Sequence, residues 1–221
     1  MATSTRLNAG PVISDTGRVV TKLGREHLNA AVRPMVKAFW AYPETVHLLP
    51  DEHQRRHVLP RYLLSDVRDA ARFATLYGAE SDGEVVGAAA WIPPEAYPVS
   101  LPRQARQILD LAPTLPWSWR AAREAQRGQA ANRARHRVQP PHFYLRAIGI
   151  APSAQARGLG SSLVRPVLKL ADDSEVGCFL QTATAENVSW YERFGFVVLA
   201  SYRPTPSWPN VWAMWREPVQ E

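Results

Sequence analysis

The stretch Phe143-Tyr-Leu-Arg-Ala-Ile-Gly-Ile-Ala-Pro-Ser-Ala-Gln-Ala-Arg-Gly-Leu-Gly160 decides the fold. Its first eight residues read as a strand ending at Ile150, Gln155 to Gly160 as a turn, and the apolar residues beyond as a helix from Gly158 to about Asp172. Cys178 to Ala183 is the next apolar run, and strand, turn, helix and strand in that order make a βαβ unit with parallel, buried strands. Glycines let a backbone approach a ligand closely, and the N–H groups at a helix start have no partner within the helix. Such a turn attracts phosphate, the helix dipole adding roughly 0.3–1 kcal/mol for an anion at an exposed N-terminus, and Arg157 can add a charge-assisted contact. Alone, a G-x-G reads equally well as a structural turn. It is not a dinucleotide fingerprint, which needs G-x-G-x-x-G and a later acid, nor a P-loop, since no Gly-Lys-Ser/Thr follows.

Upstream, a loose tail over 1–17 precedes a short strand from Arg18 to Leu23. Arg25 to Trp40 shows helical spacing at Leu28, Val32, Met35, Val36 and Phe39, with a kink expected at Pro34 and an end at Tyr42 and Pro43. A second helix is expected from Glu52 to Asp69, disturbed at Pro60. Phe73 to Ala79 and Val85 to Ile92 form an antiparallel hairpin turned on Asp82 and Gly83, and Pro93 and Pro94 stop its second strand. Residues 99–138 read as a helical insertion broken near Pro113 and Pro116. Downstream, a short helix from Asn187 to Phe194 and strands Val197 to Tyr202 and Val211 to Trp215 complete the chain.

A length of 221 residues suits one domain, 18–221, and 46% hydrophobic with 21% charged residues argues against wholesale disorder. Pro, at 19 residues, exceeds its usual share and Gly, at 12, falls below its own, so proline marks boundaries and no collagen-like period exists. Apolar runs such as Val85 to Ile92 are far shorter than the roughly 20 residues that cross a bilayer, and residues 1–11 lack the apolar core of a signal peptide. A cytoplasmic location is therefore expected. Cys178 is the only cysteine, which excludes a disulfide framework and a zinc site of several thiolates. The net charge of +6 suits nucleic acid, an anionic membrane or a nucleotide phosphate. Its excess lies at Arg120, Arg123, Arg127, Arg133, Arg135 and Arg137, opposed only by Glu124.

The turn with its surroundings resembles the GCN5-related N-acetyltransferases (GNAT), whose acetyl-CoA motif is Q/R-x-x-G-x-G/A between a strand and a helix. Gln155, Gly158 and Gly160 match it, Tyr144 to Pro152 extends the match upstream, and Leu163, Asn187 and Tyr191-Glu-Arg-Phe-Gly-Phe196 extend it downstream. A narrower likeness is to the puromycin N-acetyltransferase branch, carried by Ala38 to Pro43, Trp91 to Pro94 and Trp212 to Arg216. The resemblance implies an α/β GNAT fold: a mixed, mostly antiparallel sheet with a central splay between two parallel strands, helices on both faces, and here a helical insertion. It also implies acetyl transfer from acetyl-CoA to a primary amine in a ternary complex, without metal or covalent enzyme intermediate.

Transfer needs the thioester carbonyl held and polarised, a neutral amine in line, and a proton returned to the departing thiolate. By resemblance, the backbone of Ile148, Gly149 and Ile150 grips the pantetheine, with Gly149 permitting close approach, and Gln155, Ala156, Arg157, Gly158, Leu159, Gly160 and Ser161 clamp the pyrophosphate. Without the motif the strand reads as core with one glycine at a bulge. Asn187 is implied as a coenzyme contact and Tyr191 as the general acid, the other reading being an aromatic core of Tyr191, Phe194 and Phe196. Puromycin acetyltransferase has a glutamate on the strand that reads here as Cys178 to Thr182, and this chain has Gln181. An amide cannot accept the ammonium proton, though it can orient a water or an amine. The acceptor is then a weakly basic amine, or His47, His142 or Glu186 relays the proton. Tyr42 lies in a segment that lines the acceptor pocket in the relatives, or is a surface aromatic at a helix end.

Two alternatives remain. Within the enzyme class, the acceptor is a protein lysine or N-terminus; the insertion and the loop from Pro93 to Pro102, by narrowing the cleft, favour a small molecule. In a different class, the arginines of 120–137 with Trp117 and Trp119 grip nucleic acid, although arginines in an alanine-rich helix are more often a solvated face. Cys178 and Ser161 lack the surroundings of a nucleophile. The Trp-rich C-terminal strand is a candidate pairing edge, and the oligomeric state is not readable.

Overall fold

The computed structural model describes residues 11–13, 19–97, 99–136 and 139–219. Most of the expected 1–17 tail, Arg18, Pro98, Arg137 and the side chains of Trp117, Arg127, Arg133 and Arg135 lie outside the described residues. One mixed sheet of eight strands organises the chain, in the order β1-β2-β3-β4-β5-β6-β8-β7. The strands are β1 (Pro11–Ile13), β2 (Val19–Lys22), β3 (Leu76–Ser81), β4 (Glu84–Ile92), β5 (His142–Ile150), β6 (Gly177–Thr182), β7 (Val197–Tyr202) and β8 (Val211–Arg216). β1 pairs with β2, so the segment expected to be a loose tail carries a strand at the sheet edge.

β3 and β4 form the expected hairpin, and Asp82 (φ 54°) and Gly83 (φ 78°) supply the paired positive φ of a type I′ turn. β5 and β6 are the single parallel pair among the described strands, as the βαβ reading requires. β8 lies inside the sheet between β6 and β7. The pairing edge expected of the Trp-rich last strand is thus occupied, and β7 is the edge instead, with Val197, Val198 and Leu199 exposed.

Helices cover both faces. On one lie α1 (Leu28–Phe39) and α3 (Glu52–Arg72), with α2 (Pro43–Leu48) between them in sequence, and on the other α6 (Leu159–Asp173). β4 is buried on both faces, Ala88 and Ala90 meeting α1 and α3 while Ala89 and Trp91 meet the α6 side, which explains its unbroken apolar run. The helices continue through Pro34 and Pro60, although an interior proline costs about 3 kcal/mol, because Met35, Leu59 and Leu63 are buried there. α2 replaces the expected loop after Tyr42, with Pro43 at its first turn, where the missing N–H costs nothing. The insertion is α4 (Leu101–Leu111), a 3-10 turn (Ala112–Thr114) and α5 (Leu115–His136). α7 (Ala185–Glu192) precedes β7.

The feature that makes the site is the parting of β5 from β6. Their register runs from His142↔Gly177 to Leu145↔Leu180 and stops, while β5 continues to Ile150 paired only to β4. Where they part, Arg146 is an extra residue in β5, since Ala90 faces Ala147 and Trp91 faces Leu145. Such a bulge bends its strand.

Candidate active site

A cavity of about 740 Å³ opens at this split and brings together almost all the residues singled out from the sequence. Ile148, Gly149 and Ile150 of β5, Gln155, Ala156, Gly158, Leu159, Gly160 and Ser161 at the start of α6, Gln181 of β6, Asn187 and Tyr191 of α7, and Tyr42 all line it. Arg157 does not: it is exposed and outside the lining, because the left-handed turn around it sends its side chain to solvent.

The helix start is built by two left-handed residues, Ala156 (φ 60°) and Gly158 (φ 75°), which swing the chain from β5 into α6. Leaving the right-handed regions costs about 1–2 kcal/mol for a residue with a Cβ and little for glycine. The first bond of α6 runs from Ser162 N–H to Gly158 O (3.3 Å), so the N–H groups of Leu159, Gly160 and Ser161 have no helical acceptor. Gln155 donates from Nε2 to the Ile150 carbonyl at 3.0 Å, tying the turn to the end of β5. A Cβ at Gly160 would lie 3.1 Å from the Trp190 ring. Gly149 lines the cavity and also meets a second constraint: a Cβ there would meet Ala38 Cβ at 3.0 Å and Met35 Cα at 3.1 Å, so the glycine seats α1 on the sheet.

Opposite the helix start, the Tyr42 hydroxyl accepts the Ala183 N–H (2.6 Å) and lies 3.1 Å from Thr182 Oγ1, which also receives Asn187 Nδ2 at 3.1 Å. Burial, then the nearby Glu44 carboxylate, pushes the Tyr42 hydroxyl up to about 12, so it stays protonated. Tyr191 belongs both to the aromatic core and to the cavity wall. Its ring packs edge-on against Trp190 (4.8 Å) and Phe196 (5.8 Å), and the residue also lines the cavity. Burial, then Tyr42, holds its hydroxyl above the ordinary tyrosine range. Gln181 donates from Nε2 to the Tyr202 hydroxyl (2.7 Å), which turns its amide oxygen into the unengaged end.

Glu44 and Arg146 are among the lining residues that escaped the sequence reading. Glu44, in the first turn of α2, accepts Trp208 Nε1–H at Oε1 (3.2 Å), and burial raises its carboxyl against the opposing pull of Trp208, Arg146 and His47. A proline followed by an acid is a helix-start signal, and it was available at Pro43-Glu44. Arg146, the bulged residue, donates from Nε to Asp66 (3.0 Å) and from Nη2 to the Tyr62 hydroxyl (2.9 Å), and Asp66 keeps its guanidinium charged.

Other expectations fall outside the cavity. His142 is buried against Phe179 and Trp215, with Nδ1 2.7 Å from the Pro140 carbonyl, and burial lowers its pKa; Glu186 is exposed. His47 sits behind the lining, 4.9 Å from the Trp208 ring and 3.8 Å from Glu124. The described part of the Pro93 to Pro102 loop does not line the cavity; it receives Arg103, which also pairs with Asp69 on α3. Cys178 is buried, its thiol pushed up to about 12 by desolvation. Among the described residues no group of three or more His, Cys, Asp or Glu could hold a metal, and no helix is long and apolar enough to cross a membrane.

A sheet split between two parallel strands thus opens on a glycine-turned helix start with free N–H groups and on a protonated tyrosine. Residues 34–196 match the Acetyltransferase (GNAT) family, and the chain belongs to that family of N-acetyltransferases. Its fold is shared with solved structures of low identity. A histone acetyltransferase HPA2 and related acetyltransferase from Corynebacterium glutamicum superposes with TM-score 0.64 at 22% identity, covering 91% of this chain and 97% of that one. Arylalkylamine N-acetyltransferase 2 from Aedes aegypti does so with 0.56 at 12%, covering 90% and 97%. The PaiA N-acetyltransferase from Thermoplasma acidophilum, solved in complex with coenzyme A, gives 0.54 at 12% with the same coverage.

Proposed function

We propose that the protein transfers an acetyl group from acetyl-CoA directly to the primary amine of a small molecule. The observation that carries this reading is the single cavity joining the α6 start, the split between β5 and β6, and Tyr191. Acetyl-CoA supplies the acetyl thioester. The free N–H groups of Leu159, Gly160 and Ser161 and the helix dipole bind its pyrophosphate. The β6-facing backbone of Ile148 to Ile150, left without a strand partner, holds the pantetheine and polarises the thioester carbonyl. Tyr191 gives its hydroxyl proton to the sulfur as the C–S bond breaks, and recovers one from the nitrogen that has become an amide. Gln181, its amide nitrogen fixed on Tyr202, offers Oε1 to an N–H of the amine.

The arylalkylamine N-acetyltransferase 2 and coenzyme A complex among the structures of this fold favour a small amine and this donor. Of the residues that carry the likeness to the puromycin branch, Trp91 lies in the core and Trp212 against it, while Ala38, Phe39 and Tyr42 line the cavity. Thermal unfolding with acetyl-CoA tests the donor: at a hundredfold excess over Kd, binding raises stability by about 2.7 kcal/mol. Tyr191→Phe is expected to lower kcat about 100-fold with an unchanged coenzyme Kd. Acetylation of a lysine peptide but of no small amine would transfer the reading to the protein acetyltransferases, of which the Corynebacterium glutamicum neighbour is one by name.

A further inference from the structure

We propose that Glu44 is the proton acceptor of this reaction, and that Trp208, braced by α5 at Gly128, is the residue that positions it. The inference rests on the acetyl-transfer reading above. An alkylamine of pKa near 10 is neutral in only about one molecule in a thousand at pH 7, and Gln181 cannot take the surplus proton.

Among the described residues that line the cavity, Glu44 is the one carboxylate. Its Oε1 is engaged by Trp208, Oε2 accepts no hydrogen bond among the described residues, and the residue lines the cavity. The groups around it are Tyr42 ahead of α2, His47 on α2, Arg146 on β5 with its partners Asp66 and Tyr62 on α3, and Glu124 on α5 beyond His47. The Trp208 N–H, Arg146 and His47 favour the carboxylate, and burial favours the acid. A carboxylate so balanced can accept a proton and release it again.

The brace is a close contact. Trp208 is buried, and a Cβ at Gly128 would lie 2.5 Å from its ring, so only glycine lets α5 and the indole approach this closely. One turn earlier on α5, Glu124 accepts Thr205 Oγ1 at 2.9 Å, from the same loop that carries Trp208. The insertion therefore holds the wall of the acceptor side.

The ammonium passes one proton to Glu44, giving a neutral amine and a carboxylic acid. The amine lone pair forms the C–N bond at the thioester carbon, the C–S pair leaves with sulfur, and Tyr191 returns a proton there while the new amide nitrogen loses one. Glu44 then releases its proton to water.

The test uses two nearly isosteric acceptors, phenethylamine, which is an ammonium at pH 7, and O-benzylhydroxylamine, which is neutral. For the wild type, kcat/KM with phenethylamine rises with pH along an acid limb as Glu44 ionises. Glu44→Gln is expected to lose about 100-fold with phenethylamine at pH 7 and to abolish that limb, while O-benzylhydroxylamine turnover falls only a few-fold and reports an intact fold. Trp208→Phe, lacking the N–H that favours the carboxylate, is expected to move the limb to higher pH. Equal losses with both acceptors in a Glu44→Gln protein still stabilised by acetyl-CoA, or no loss with either, overturn the role of Glu44; an unmoved limb in Trp208→Phe overturns that of Trp208. If Glu44→Gln does not fold, Glu44→Asp decides: a slower enzyme that keeps an acid limb supports the assignment, and full activity overturns it. A wild type that binds acetyl-CoA yet acetylates neither acceptor overturns the small-amine reading, and the base assignment with it.

Discussion

The two ends of the cavity are built in opposite ways. The proposed coenzyme end comes from one continuous stretch, Ile148 to Ser161, in which a strand, a turn and a helix start follow one another. The proposed acceptor end is assembled from Tyr42 and Glu44, from Arg146 and from Gln181, with Trp208 bonded to Glu44 from outside the lining, so that four separate segments bring it together. A contiguous site is set by local backbone conformation. A dispersed one depends on the packing of the whole domain, so distant substitutions should disturb it and spare the other end.

The strongest test of that difference is Asp66→Ala, which leaves the Arg146 guanidinium inside the protein without its 3.0 Å partner. A loss of roughly 3 kcal/mol in chemical denaturation is expected, the low end for a broken buried pair because Arg146 also opens on the cavity. Gly158→Val attacks the other end: a β-branched residue at φ 75° resists the left-handed turn. It should remove most of the ~2.7 kcal/mol of stabilisation given by a hundredfold excess of acetyl-CoA. Gly128→Ala, forced against Trp208, should cost about 1–3 kcal/mol of stability and raise the KM for the amine while the coenzyme Kd stays fixed. If the coenzyme Kd moved equally, the two ends would not be separable. The smallest effect is expected of Tyr202→Phe, which frees the Gln181 amide at a cost of about 1 kcal/mol in thermal unfolding.

How much the sequence revealed follows the same division. The hairpin turn, the βαβ unit and the turn into α6 were legible because each depends on neighbours in the chain, as Asp82-Gly83 and Gln155 to Gly160 show. Gln155 was found for its motif, yet its bond to the Ile150 carbonyl needed the folded turn to be seen. Gly149 read only as a ligand-approach glycine; that Met35 and Ala38 of α1 also pack on it needed the fold to be seen. Glu44 was missed because Tyr42-Pro43 read as a helix stop when it also begins the next helix. The last strand read as an edge because strand order is not written in strand sequence, and β8 crosses to lie beside β6.

The buried thiol of Cys178 has a practical consequence at the bench. Thiolates are the species that attack disulfide reagents, and the chain's only sulfhydryl is sealed in a strand and held neutral well past pH 8. A chromogenic disulfide added to the reaction will therefore count released coenzyme thiol without a background from the enzyme. Turnover can be followed continuously with the native chain, and a slow rise in that background would report unfolding in the same cuvette.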